Sequence, residues 1–227
     1  MSLKSDTQGF DISCYSAAVI GCGGLGSNVC VHLAGDGIGE LIICDFDSIS
    51  ESNLNRQFVY KYSDIGKSKP DNMESFLKDY APGSKITKIN RKILKTEDLD
   101  FALNCDIMII AADNVEVRKI ADEFCHINKL PFINGGINGF YGICYLCIPF
   151  KTPCLECAGL LNANKRTFSV SSTAGIIGSL CVTVAEKFLT GDDTLAGKLL
   201  VLDDEEITQL TVKSSSECRF RKLEGQL

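Results

Sequence analysis

Apolar residues in this chain come in short unbroken runs, and between the runs they recur every three or four positions. Residues 17–20 (Ala-Ala-Val-Ile), 41–44 (Leu-Ile-Ile-Cys) and 107–111 (Ile-Met-Ile-Ile-Ala) are too short for helices and read as buried strands. A helix over 24–34 follows the first run. Met73, Phe76, Leu77 and Tyr80 mark another over 69–80, and Val117, Ile120, Ala121 and Phe124 mark a third. Residues 85–93 alternate like a strand, 132–134 read as a short strand and 139–149 as a longer one. From 149 to 172 the pattern dissolves into a loop. Beyond it Ile177, Leu180, Cys181, Val184 and Phe188 form a helical stripe that stops before Gly191. Residues 199–202 and 207–212 read as a terminal pair of strands. Strands alternating with helices of this size predict an α/β fold, a mostly parallel sheet with helices on both faces. No repeat or linker divides the chain, so one domain over 1–227 is expected.

Composition narrows the function classes. With 227 residues and 45% hydrophobic content the chain has material for one sizeable core. A formal net charge of −6 argues against a nucleic-acid partner. The basic residues Lys85, Lys88, Arg91, Lys92 and Lys95 lie along a strand-like stretch and read as a solvated edge. The start of the chain is polar, and no apolar run reaches the roughly 18 residues of a membrane span, so no export signal and no membrane partner are expected. Twelve cysteines in such a chain suit a reducing, cytoplasmic compartment. Cys22, Cys30, Cys44, Cys105, Cys125 and Cys181 fall inside apolar patterns, where cysteine acts as a small hydrophobe.

The chemistry concentrates after the first strand. Gly21, Gly23 and Gly26 have the G-x-G-x-x-G spacing between a strand and a helix, which lets a backbone approach phosphate at a helix N-terminus. Asp45 ends the next strand, where an acidic side chain meets ribose hydroxyls, with Asp47 just beyond. The motif alone fits close strand–helix packing as well, and does not say which nucleotide binds. Asn53, Arg56, Gln57 and Lys69 decide that. Two fixed cations near a phosphate turn exceed what a bridging pyrophosphate needs and suit a triphosphate whose leaving group gathers charge. Asp113, at the end of a central strand, is placed to hold Mg²⁺. Taken singly, Arg56 or Lys69 would be a surface charge and Asp113-Asn114 a helix cap. Taken together they point to a nucleotide that is cleaved.

These motifs resemble the ThiF/MoeB/HesA family, adenylating enzymes related to the ubiquitin-activating enzymes. The matching pieces are Gly-Cys-Gly-Gly-Leu-Gly (21–26, with Gly24 among its glycines), Asp45-Phe46-Asp47, Ser-Asn-Leu-Asn-Arg-Gln (52–57), Gly66 with Lys69, Asp-Asn-Val-Glu-Val-Arg (113–118), Cys-Leu-Glu-Cys (154–157) and Gly-Ile-Ile-Gly-Ser-Leu (175–180). The resemblance implies a Rossmann-like sheet extended by antiparallel strands toward the C-terminal part, with 150–175 as a crossing loop. It implies ATP-dependent adenylation of a C-terminal carboxylate, belonging to a ubiquitin-like or sulfur-carrier protein or a peptide, with release of pyrophosphate. By the same carry-over Asp45 binds ribose. Asn53, Arg56, Gln57 and Lys69 line the phosphates, Asp113 ligates Mg²⁺, and Asp47 and Asn114 belong to the nucleotide site. A homodimer is also implied. An ionised carboxylate needs no general base, so no histidine is expected at the site, and His32 and His126 read as packing residues.

The chain departs from that family in three places. A structural zinc would use two Cys-x-x-Cys pairs. Cys154 and Cys157 form the first, but Cys218 is followed at the fourth position by Arg221, which cannot ligate. Cys144 and Cys147 also have the spacing, but i and i+3 face opposite sides of a strand, so they are no ligand pair. Residues 158–180 contain no cysteine for a thioester, the aligned position falling near Asn164. Family members generally begin with an Arg-Tyr-x-Arg-Gln segment whose arginine reaches the partner subunit's ATP; here no arginine precedes Arg56, so either residues 1–16 are an extension cut from a longer protein or the site lacks that cation. Two other functions stay open: a non-catalytic scaffold subunit of an activator, and an NAD-dependent oxidoreductase, which the glycine turn and Asp45 alone would support.

Overall fold

The computed structural model describes residues 11–162, 168–203 and 206–220. One eight-stranded sheet runs through it in the order β3-β2-β1-β4-β5-β6-β7-β8. The strands are β1 (Ser16–Ile20), β2 (Glu40–Asp45), β3 (Lys85–Asn90), β4 (Ile107–Ile110), β5 (Phe132–Asn138), β6 (Tyr141–Cys147), β7 (Lys198–Leu202) and β8 (Ile207–Thr211). From β3 to β5 all neighbours are parallel. From β5 to β8 all are antiparallel.

Four helices connect them: α1 (Gly24–Gly35), α2 (Lys69–Tyr80), α3 (Val115–Ile127) and α4 (Ser171–Leu189). Strand alternation sends Ala17, Val19, Leu41, Ile43, Ile107 and Ile109 to one face, against α1, α2 and α4. Ala18, Ile20, Cys44, Met108, Ile110 and Phe132 go to the other, against α3 and the 3₁₀ helix of Thr96–Ala102. Helices therefore cover both faces, as the periodicity predicts.

Three expectations need correction. β5 does not end at Asn134 but continues through Gly135 and Gly136 to Asn138, because β6 pairs with it along the whole length. Helix α4 has 19 residues and a mean hydropathy of 1.3, long and apolar enough to cross a membrane, although Ser, Thr, Glu and Lys interrupt its apolar positions. Its buried residues Ala174, Ile177, Cys181 and Ala185 belong to the core, and Gly178 lets it close on α1: a Cβ there would stand 2.5 Å from the Asn28 Cβ. His32 is exposed rather than packed, and its Nε2 meets Ser179 Oγ at 3.0 Å across those two helices. His126 is buried as expected, stacked on Phe220 with ring centroids 3.7 Å apart and its Nδ1 3.2 Å from Asp122 Oδ1.

None of the twelve cysteines is disulfide-bonded. Cys144 lies in one core layer and Cys147 in the other, on opposite faces of β6. Asn164 and Arg221 lie outside the described residues.

Candidate active site

The parallel strands open at their carboxyl ends, between β1 and β4, where neighbours on the sheet lead away in opposite directions. Such a switch point forms a crevice by construction. Here it is a cleft of about 730 Å³, a size that suits a nucleotide.

Gly21 leaves β1 with φ +104°, a left-handed conformation that favours glycine, and its added Cβ would stand 3.0 Å from the Ala111 carbonyl oxygen. At Gly26 a Cβ would overlap the Gly21 carbonyl. The turn is therefore closed by backbone contact, and glycine at these two positions is a steric demand. Gly23 is the N-cap of α1 and offers no side chain to its first amides, whereas Ser68 caps α2 and Asn114 caps α3. An uncapped helix end facing a cleft is a ready anion site.

Asp45 ties this turn to β2. Its Oδ2 accepts from the Cys22 N–H at 2.7 Å, and its Oδ1 from the Phe46 and Asp47 N–H groups at 2.7 and 2.9 Å. The carboxylate expected to meet ribose thus also holds the phosphate loop. Gln57 is buried, and its Oε1 has no hydrogen-bond partner among the described residues. Beneath the loop the Tyr60 hydroxyl donates to the Cys22 carbonyl at 2.9 Å, and burial raises its pKa.

The expected cations reach the same cleft. Lys69 begins α2, at the positive end of the helix dipole, where a lysine is misplaced for helix stability. Its side chain is 7% exposed, and the ammonium pairs with Asp47 Oδ2 at 2.9 Å. Arg56 packs over the first turn of α1, its Cγ 3.0 Å from a Gly24 Cβ position, and Nη1 donates to the Ser52 carbonyl and Asn55 Oδ1, each at 2.8 Å. Asn53 lines the cleft and its Oδ1 accepts from the Ser50 N–H at 3.1 Å. Asp113 lines the opposite side. Asn114 uses its Oδ1 to cap α3 through the Glu116 N–H at 2.8 Å. No histidine lines the cleft among the described residues.

Three basic residues at the cleft had no assigned role. Arg91 and Lys92, expected on a solvated edge, follow the end of β3 and line the mouth, with the Lys92 ammonium 5.3 Å from the Phe46 ring centroid. Arg118 closes the Asp-Asn-Val-Glu-Val-Arg segment of 113–118. It stands in the first turn of α3, where Nε donates to the Ala112 carbonyl at 3.1 Å. Burial lowers its pKa, which the nearby Asp113 partly offsets. Helical position alone makes it look like any surface arginine, and only the register of β5 brings Gly136 beneath it.

A second cluster lies at the antiparallel end. The Sγ atoms of Cys154, Cys157 and Cys218 all lie within 4.8 Å of one another, and Cys154 Sγ is 3.7 Å from Cys218 Sγ. Cys157 Sγ also accepts from the Ser215 N–H at 3.3 Å. Three convergent soft donors fit zinc or another thiophilic metal.

A model of the ThiF family matches residues 5–220, and the chain belongs to that family. It is 29% identical over 210 residues to the SAMP-activating enzyme E1 of Haloferax volcanii, covering 88% of this chain and 77% of the relative. With the sulfur carrier protein ThiS adenylyltransferase of Escherichia coli it shares 29% over 208 residues, 88% of this chain and 83% of that one. Among solved structures it superposes on E. coli MccB crystallised with ATP at a TM-score of 0.83 and 26% identity, covering 92% of this chain and 66% of MccB. The chain thus spans about two thirds of that solved protein. It is an adenylyltransferase of the ThiF/MoeB type.

Proposed function

We propose that this domain, spanning 1–227, joins the C-terminal carboxylate of a ubiquitin-like or sulfur-carrier protein to AMP, releasing pyrophosphate. One observation carries the reading: the glycine turn, Gln57, Arg56, Lys69 and Asp113 open into one cleft. Relatives named for SAMP and ThiS activation support the acceptor class.

A terminal carboxylate is ionised at pH 7, its pKa being about 3.3–3.7. Its oxygen attacks the α-phosphorus, and the bond from that phosphorus to the bridging oxygen breaks. The electron pair leaves on pyrophosphate, and no proton need move. The protein's tasks are alignment and neutralisation of the leaving group. The uncapped α1 amides cradle phosphate oxygens, Arg56 and Lys69 face the departing pyrophosphate, and Asp45 receives the ribose. Lys69 must exchange Asp47 for phosphate as ATP enters. Mg²⁺, held by Asp113, would supply further charge neutralisation at the phosphates. Asn53, Gln57, Asp47 and Asn114 complete the wall by hydrogen bonding.

Zinc on Cys154, Cys157 and Cys218 would fasten the C-terminal segment to the loop after β6, with a fourth donor from outside this set. A homodimer and a cytoplasmic location complete the reading, the latter supported by twelve cysteines that form no disulfide.

A peptide acceptor is the second reading. The absence of cysteine from 158–180 favours it, since a peptide needs only the adenylate and no thioester. ATP–pyrophosphate exchange measured with Gly-Gly-ending small proteins and with C-terminal peptides separates the two. Exchange with neither removes both. Tight binding to an active relative without binding of Mg-ATP would favour the scaffold role instead.

A further inference from the structure

We propose that Arg118 receives the acceptor's terminal carboxylate, across the cleft from the cations that hold the leaving group. The inference rests on the adenylation reading and adds the part of the site that meets the second substrate.

Geometry divides the cleft's cations between two walls. Arg56 packs over the first turn of α1, and Lys69 pairs with Asp47 just past β2, so both belong to the β1–β2 side. Arg118 springs from α3, beyond β4. Its bond to the Ala112 carbonyl fixes the guanidinium at Nε, and Nη2 reaches 3.2 Å from where a Gly136 Cβ would stand on β5. Among the described residues its two terminal nitrogens make no ion pair or hydrogen bond. Asp113 nearby balances only part of the cost of burying this guanidinium, so its free terminal nitrogens are open to an incoming anion.

Two more observations point the same way. Arg118 lies in the first turn of its helix, as Lys69 does, so each cation is set against a helix dipole that disfavours it. Helix stability accounts for neither. Two residues back on the same face of β5, Asn134 is fully buried and both its amide atoms lack a partner among the described residues. Asn134 does not line the cleft itself, and its unpaired amide backs the strand that does.

Phosphoryl transfer supplies the reason for a two-walled arrangement. Attacking and leaving oxygens lie roughly in line on opposite sides of the phosphorus. Cations that hold the departing pyrophosphate cannot also guide the nucleophile. An incoming carboxylate is repelled by the triphosphate and needs a cation of its own on the far side. Arg118 is the arginine on that side, and its planar fork matches a carboxylate in bidentate fashion. The missing side chain at Gly136 leaves room for the guanidinium itself, which Ile143 packs beside.

The test uses the full chain with Arg118→Ala, Arg118→Gln and Arg118→Lys, each checked for an unchanged melting temperature. Pyrophosphate exchange is measured against a small Gly-Gly-ending protein and a Gly-Gly-ending peptide. The same peptide as its C-terminal amide serves as a competitor. Removing a charge-assisted carboxylate contact is expected to raise the acceptor KM by about 10- to 100-fold, with the ATP KM moving less than about twofold. Wild type should bind the acid in preference to the amide, Arg118→Ala should lose that preference, and Arg118→Lys should regain part of it. An ATP KM that rises with the acceptor KM, or an acid preference that survives in Arg118→Ala, overturns the assignment while leaving adenylation intact. Wild-type exchange with none of the acceptors overturns the parent reading and this one together.

Discussion

The parallel and antiparallel ends of this sheet are built from different materials. At the parallel end β1, β2 and β4 deliver backbone to the cleft: the left-handed Gly21, the Gly26 position with no room for a Cβ, and amides of α1 that no side chain caps. Side chains there are fixed by backbone bonds, Asp45 to the Cys22 N–H and Arg56 to the Ser52 carbonyl. At the antiparallel end β6 to β8 lie beside a loop and a C-terminal segment drawn together by the thiols of Cys154, Cys157 and Cys218. One end positions groups for chemistry. The other, in the proposed reading, fastens its C-terminal segment to the loop after β6, and β8 is largely exposed. The difference teaches that the reactive part of the domain depends on close backbone approach, and the fastening part on the donor set of a few side chains.

Perturbing each end should therefore read out differently. The largest effect belongs to the cleft: Arg56→Ala is expected to lower the exchange rate by about 10²- to 10³-fold, the scale of a lost transition-state donor, with the melting temperature little changed. Lys69→Ala should behave alike. Steady-state exchange kinetics and a thermal melt on the same preparations check both.

Next comes the backbone. Gly26→Ala forces a Cβ into the Gly21 carbonyl and should cost about 1–3 kcal/mol or more, as overpacking does. A shifted denaturant midpoint with loss of Mg-ATP binding is the expected pair of results; an unchanged midpoint would mean that the turn is looser than the geometry indicates.

Stripping a thiophilic metal with 1,10-phenanthroline, which spares Mg²⁺, should lower the melting temperature and leave ATP affinity alone. Saturation at about 100 times the dissociation constant corresponds to about 2.7 kcal/mol. Cys218→Ser should reproduce the loss and remove the chelator's effect. A fall in ATP affinity on chelation would break the separation of the two ends.

The smallest effect is electrostatic and lies in neither. Burial, and then the neighbouring Asp36 at the end of α1, push the Glu186 carboxyl from 4.5 to about 8. The folded chain therefore holds a proton that the unfolded chain has already released between pH about 4.5 and 8. Stability falls as pH rises through that window. Glu186→Gln should flatten the decline and melt higher than wild type at pH 8. Parallel pH profiles of the melting temperature would contradict this.

Much of the parallel end was legible in the sequence because its rules are local. The span 69–80 coincides with α2, and the glycine spacing, Asp45, Arg56 and Lys69 all meet in the cleft. What escaped depends on register. Gly135 and Gly136 resemble a break after 132–134, yet β6 pairs across them. Their missing side chains make room for Leu25 and Cys181 on one face and for Arg118 on the other. Arg91 and Lys92 alternate with a solvated edge and only turn to the cleft after β3 ends. The extra bonds of Asp45 are backbone contacts, which residue identity does not encode. At the antiparallel end spacing alone pairs Cys154 with Cys157, and it takes the family resemblance and then the fold to bring Cys218 to them.

The central claim is that the cleft's cations and amides let an incoming carboxylate displace pyrophosphate from ATP, so the decisive measurement is isotope exchange between pyrophosphate and ATP with and without a Gly-Gly-ending acceptor. The account predicts exchange that requires the acceptor's free carboxylate, fails with its amide, and drops by about 10²-fold or more in Arg56→Ala. Exchange that proceeds equally well without any acceptor, or that is indifferent to Arg56, would contradict it.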